Sequence, residues 1–290
     1  MELGYHTGLS LSSGMPRAGG PNESVPRFIV GFSNQEPTMR KTLAAACPRR
    51  GSGANIAPEL TTPKAYVKWI NKHLGFNPRS QANSDALSEF VIADFERACP
   101  PFRAALRSGL LIPRKNPNVR TKVAERSVDL IFHEKGELPA LSVRVSVEHK
   151  TIMTAHGKAR KNRYGDLIAY SNHMHNHKKD CIATGIVVVN TSPEYENPDA
   201  FAKGLKRPRF NMEKVVADTI RIFATIPLRN DPEDPNDQPE ALAVIVVNYD
   251  GVHPARLVTK PPAPAPADPV SYHNFVKRIC ELYGKRFTGR

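Results

Sequence analysis

The sequence predicts an α/β fold, a mixed sheet flanked by helices, and three observations predict it. Two runs of strand length, Ser127–His133 and Leu141–Lys150, are joined by a short segment containing Lys135-Gly136 and read as an antiparallel hairpin. Two later runs, Ile182–Val189 and Ala241–Val247, are apolar without a break and rich in β-branched residues, the pattern of strands covered on both faces. Stretches with apolar residues at helical spacing precede, separate and follow them. A hairpin followed by a helical crossover to a buried strand makes a mixed sheet.

Taken in order, residues 1–60 are rich in Gly, Ser and Pro and show no sustained period, so a poorly ordered N-terminal arm is expected there. Thr62-Pro63 opens the first helix, with Thr62 as N-cap and Gly75 beyond its end. Tyr66, Trp69, Ile70 and Leu74 share a face, which makes the single tryptophan a core residue. Ser84 is expected to cap a second helix over about 85–98, with Leu87, Phe90, Val91 and Phe95 inward, and Pro100-Pro101 to end it. A basic segment follows, with a loop around 113–118. After the hairpin, a helix is expected over about 154–175, and another over 212–224. Residues 61–252 form the main domain in this reading. Residues 253–269 read as an Ala/Pro linker, and 270–290 as a basic C-terminal helix.

The chain has 290 residues and a formal net charge of +13, which favours an acidic partner, nucleic acid being the commonest. Its four cysteines form no CxxC pair, so neither a structural zinc site nor a disulfide framework is expected. There is no signal-peptide pattern, and no apolar run reaches the roughly 20 residues of a membrane helix, so a cytoplasmic, non-membrane protein is expected.

The chemistry concentrates on the hairpin. Side chains at i and i+2 of a strand share a face, so Glu148 and Lys150 project together and His149 points the other way. The hairpin brings Asp129 alongside. Asp, Glu and Lys are rarely buried unless paired, so two carboxylates and a lysine at one point of a sheet suit a hard divalent cation better than packing. Taken singly, Asp129 reads as an exposed strand residue, and Glu148 with Lys150 as a surface ion pair worth about 0–1 kcal/mol.

Asp129 in Ser-Val-Asp-Leu-Ile, and Glu148-His149-Lys150 at the end of an apolar strand, resemble the PD-(D/E)xK nuclease superfamily, which includes many restriction endonucleases. Val128 stands where the superfamily's name has Pro. The resemblance covers about residues 84–190. It implies a restriction-endonuclease-like core and a Mg²⁺-dependent endonuclease that hydrolyses DNA, of the type II restriction or phage-defence kind. Asp129 and Glu148 are then metal ligands, with the His149 carbonyl as a third, and Lys150 sits against the attacking water and phosphate. Glu89, near the start of the preceding helix, is the first candidate for an accessory acid, and Asp94 the second.

Lys158, Arg160, Lys161 and Arg163 open the helix after the hairpin, and a later loop carries Lys206 and Arg207. These six are the candidates for contact with double-stranded DNA. A homodimer cutting both strands is a further expectation, since the chain holds one site. A repair nuclease of the same fold, or a basic DNA-binding protein with structural carboxylates, are the alternatives. His173 and His177 lie four apart and could bind a transition metal, or could close a polar helix end.

Overall fold

The computed structural model describes residues 60–122, 124–136, 142–195 and 211–289. The N-terminal arm, the turn residues after Gly136, and Lys206 and Arg207 lie outside the described residues. A six-stranded mixed sheet has the order β1-β4-β5-β6-β7-β8. Its members are β1 (Leu111–Lys115), β4 (Leu130–Glu134), β5 (Val143–Ile152), β6 (Ile182–Asn190), β7 (Ala241–Asn248) and β8 (Arg256–Leu257). The strands β5, β6 and β7 run parallel, while β1, β4 and β8 run antiparallel to their neighbours. A separate two-stranded sheet pairs β2 (Asn118–Arg120) with β3 (Glu125–Ser127).

Helices cover both faces. On one side lie α1 (Thr62–Lys72), α2 (Gln81–Ala98), α3 (Pro100–Arg107) and α6 (Tyr272–Tyr283). Their Tyr66, Ile70, Leu87, Val91, Phe95, Phe102, Phe275 and Ile279 pack with Leu130, Phe132, Val145 and Val147 of the sheet. On the other side lie α4 (His156–His177) and α5 (Met212–Ala224), whose Leu167, Val216, Ile220 and Phe223 pack on Val187, Val189, Val244 and Val246. The β6 strand is buried along its whole length, as its β-branched run requires. Gly185 lets α4 approach it: a Cβ there would lie 2.6 Å from Leu167 Cδ2.

Several expectations are corrected. The α2 helix starts a turn earlier than expected: Ser80 is its N-cap and accepts from Asn83 N at 3.3 Å, while Ser84 lies inside the helix. Pro100-Pro101 ends α2 but opens α3, where proline in the first turn needs no intrahelical donor. The expected loop around 113–118 contains most of β1, where Pro113 is accommodated because β1 is an edge strand. The α1 helix is capped from outside itself. Asp94 is fully buried and accepts from Thr61 N (3.0 Å), Thr62 N (2.8 Å) and Thr62 Oγ1 (2.6 Å). It also pairs with Arg97 at 3.1 Å. That explains an aspartate on the apolar stripe of α2, and its carboxylate is occupied.

Trp69 is half-buried and stacks on His73 with ring centroids 4.6 Å apart. No disulfide framework is expected from the sequence, yet one disulfide joins Cys99 to Cys280 across 181 residues of sequence and ties α6 to the α2–α3 junction. Cys181 is free and buried, and burial pushes its thiol up to about 12. Among the described residues, no helix is long and apolar enough to cross a membrane.

Candidate active site

The site forms where β4 and β5 leave their ladder. The last regular pair there is Leu130↔Val147, so Asp129 and Glu148 are next to each other across the strands. Asp129 lies just before β4 and is held from several directions. Its Oδ1 accepts from Ser84 Oγ at 2.6 Å, and its Oδ2 accepts from the His149 backbone N–H at 2.7 Å. Its own carbonyl accepts from Asn116 N at 2.9 Å and Ser88 Oγ at 3.4 Å. Ser84 and Ser88 stand one turn apart on the face of α2 that meets it.

Glu148 faces the α4 side of the sheet and is buried, 4% exposed. Its Oε1 accepts from Lys150 Nζ and from Arg126 Nη2, the latter at 3.2 Å. Its Oε2 is buried and has no partner. Burial holds the Glu148 carboxyl above the usual carboxylate range. Lys150 pulls it down, Asp129 pushes it up, and Arg126 adds a smaller downward pull. An unpaired carboxylate oxygen in a dry place is costly, and a buried carboxyl shifted in this way marks a candidate functional site.

Arg126 is the residue the sequence reading missed. It comes from β3, 22 positions before its partner, and its guanidinium lies 5.2 Å above the Tyr170 ring of α4. No local motif marks it. The signal was its place on a short strand leading directly into Asp129.

His149 points to the opposite face, toward α2, with Nδ1 3.4 Å from Ser84 Oγ. Burial holds its imidazole below the usual histidine value. Glu89 is exposed on the outer side of α2, paired with Lys115 at the sheet edge. It has no hydrogen bond or ion pair with Asp129, Glu148 or Lys150, so the structure does not bring it to them. Of the basic candidates, Lys158 and Lys161 are exposed on the first turns of α4, while Arg160 and Arg163 are half-buried. Arg163 Nη1 pairs with Asp166 at 2.8 Å.

Among the described residues, no three His, Cys, Asp or Glu side chains gather into a metal-holding group. His173 and His177 therefore belong to no such group among the described residues. Two carboxylates remain at the hairpin. Magnesium commonly takes only one or two, with water and phosphate completing its shell, so Asp129 and the free oxygen of Glu148 fit it. No protein family, no curated protein and no solved structure matches this chain.

Proposed function

We propose that this protein is a Mg²⁺-dependent endonuclease that hydrolyses DNA phosphodiester bonds, on a restriction-endonuclease-like core. The observation that carries the reading is the convergence of Lys150 and Arg126 on the buried Glu148, which keeps one oxygen unpartnered and has Asp129 beside it across the strands. The element order supports the core: a helix, three antiparallel strands, a crossover helix, and a strand parallel to the third. A restriction or phage-defence role, acting as a homodimer on double-stranded DNA, is the form of the activity that fits a basic chain with one such site.

Asp129 and Glu148 would hold the magnesium ion, with the His149 carbonyl as a further ligand. When bound, the ion supplies a polarised water and charge relief at the phosphate. The protein's own groups do the rest. Ser84 and the His149 N–H fix the Asp129 carboxylate before substrate arrives, so little reorganisation is left for the reaction. Lys150 and Arg126 share Glu148 in the free protein. Once a phosphate enters, both are placed to meet its developing charge with hydrogen bonds that strengthen as the charge grows. Arg126 also lies over the Tyr170 ring, a cation–π contact that helps hold it beside Glu148. Lys158, Lys161 and Arg160 line the approach along α4 and neutralise backbone phosphates.

The test is cleavage of supercoiled plasmid by the full chain. Discrete fragments in Mg²⁺ that vanish in EDTA are expected. Absence of cutting across plasmids of varied sequence and methylation, while binding persists, would contradict the proposal.

A further inference from the structure

Beside the candidate site, β5 runs on past Lys150 into a small cleft that the reading above does not use. The cleft has about 70 Å³ of free volume, room for roughly five waters. It lies between the α1–α2 loop, the end of β5 and the start of α4, and Asn77, Arg79, Thr151, Thr154, Arg163 and Tyr195 contribute its polar side chains. All of them offer donors. Arg163 Nε is buried with no partner. Arg79 is exposed, and its guanidinium has no acceptor among the described residues. Asn77 uses its Oδ1 to accept from Arg79 N at 2.9 Å, which leaves its amide hydrogens free. Tyr195 is 5% exposed, and burial pushes its phenol up to about 12, so the hydroxyl keeps its proton. No carboxylate lines the cleft among the described residues.

Arg163 also pairs through Nη1 with Asp166, outside the lining, which leaves its Nε and the whole Arg79 guanidinium to a ligand; such a pocket is complementary to a tetrahedral oxyanion, because arginine meets phosphate oxygens through a planar fork. The free volume suits a phosphate group with a few waters. We infer that this cleft is a phosphate-binding subsite, built by Arg79 and Arg163 and distinct from the Asp129–Glu148 cluster. Its position beside a cut phosphate rests on the nuclease reading; its affinity for phosphate does not. The phosphate comes either from an internal phosphodiester or from a terminal phosphomonoester.

Inorganic phosphate titrated calorimetrically into the full chain, in EDTA and low salt, tests the site. One phosphate per chain is expected. Arg79→Ala weakens it at least tenfold, Arg79→Lys recovers part of the loss, and the remote surface variant Lys277→Ala leaves it unchanged. Equal affinity in wild type and Arg79→Ala, or an equal loss in Lys277→Ala, overturns the inference. Short duplexes then separate the sources. A 5′-phosphorylated duplex bound more tightly than its 5′-hydroxyl twin, with the difference lost in Arg79→Ala, assigns a terminal phosphate. Equal binding of the two, equally weakened by Arg79→Ala, assigns an internal one. Arg79-dependent phosphate binding in a protein that never cuts DNA would sink the nuclease reading and leave this one standing.

Discussion

Replacing Asp94 by alanine separates a structural carboxylate from a catalytic one. Asp94 is fully buried and satisfies the first turn of α1 from a neighbouring helix. Two of its donors, the N–H and the hydroxyl of Thr62, belong to a residue with no exposed surface. The hydroxyl keeps a contact with Tyr272, whose OH donates to it at 2.7 Å. Stranding a buried donor costs about 1–3 kcal/mol. Thr61 is less buried and open to solvent, so the Thr62 pair dominates, and Asp94→Ala should destabilise by about 3 kcal/mol. For a domain this size that is a fall in Tm of roughly 6–12 °C. Urea unfolding followed by circular dichroism measures it, and the slope with denaturant should stay unchanged because the fold still buries the same surface. Any DNA cleavage measured at a temperature where the variant is folded should persist near the wild-type rate. A loss below about 1 kcal/mol, or a folded variant that no longer cuts, would refute this assignment.

Three further outcomes follow from the same geometry. Glu240 is fully buried and accepts from Ala183 N and Arg286 Nη1, each at 2.8 Å, and meets His175 Nε2 at 2.9 Å. Glu240→Gln should therefore cost about 3–5 kcal/mol by leaving Arg286 and Arg229 without their anion, and chemical denaturation should show it. Gly185→Ala drives a methyl against Leu167 and should cost about 1–3 kcal/mol; an unchanged Tm would show that α4 simply moves away. Arg126 helps keep Glu148 ionised against its burial, so Arg126→Ala should raise the Glu148 pKa further and move the acid limb of the cleavage profile to higher pH. A limb that stays in place, or moves to lower pH, would contradict that.

The parts of the fold legible in the sequence are those decided by local pattern. The unbroken run from Ile182 and the run from Ala241 are strands because β-branched residues covered on both faces leave no other reading, and the α4 and α5 helices announce themselves by spacing. What was not legible depends on partners distant in sequence. Ser80 and Ser84 stand one turn apart and both suit a cap, and only the contact with Asp129 decides between them. Asp94 looked misplaced on an apolar stripe because the turn it caps lies 32 positions earlier. Edge strand β1 hides behind its proline, whose missing N–H costs nothing on an open edge. The cluster of Arg229, Glu240 and Arg286 joins three segments that carry no common motif. In the candidate site, Glu148 and Lys150 were readable because strand alternation puts them on one face, and the structure pairs them. Arg126 was not, since its role exists only after the β2–β3 hairpin folds over α4.

The most direct measurement is single-turnover DNA cleavage by Lys150→Ala beside wild type, with DNA binding measured in EDTA on the same preparations. Lys150 touches Glu148 and is only half-buried, so the variant should fold and still bind. The account predicts that cleavage is abolished while affinity for DNA stays within a fewfold of wild type. Cutting at the normal rate by Lys150→Ala would contradict the claim that this hairpin is the catalytic centre.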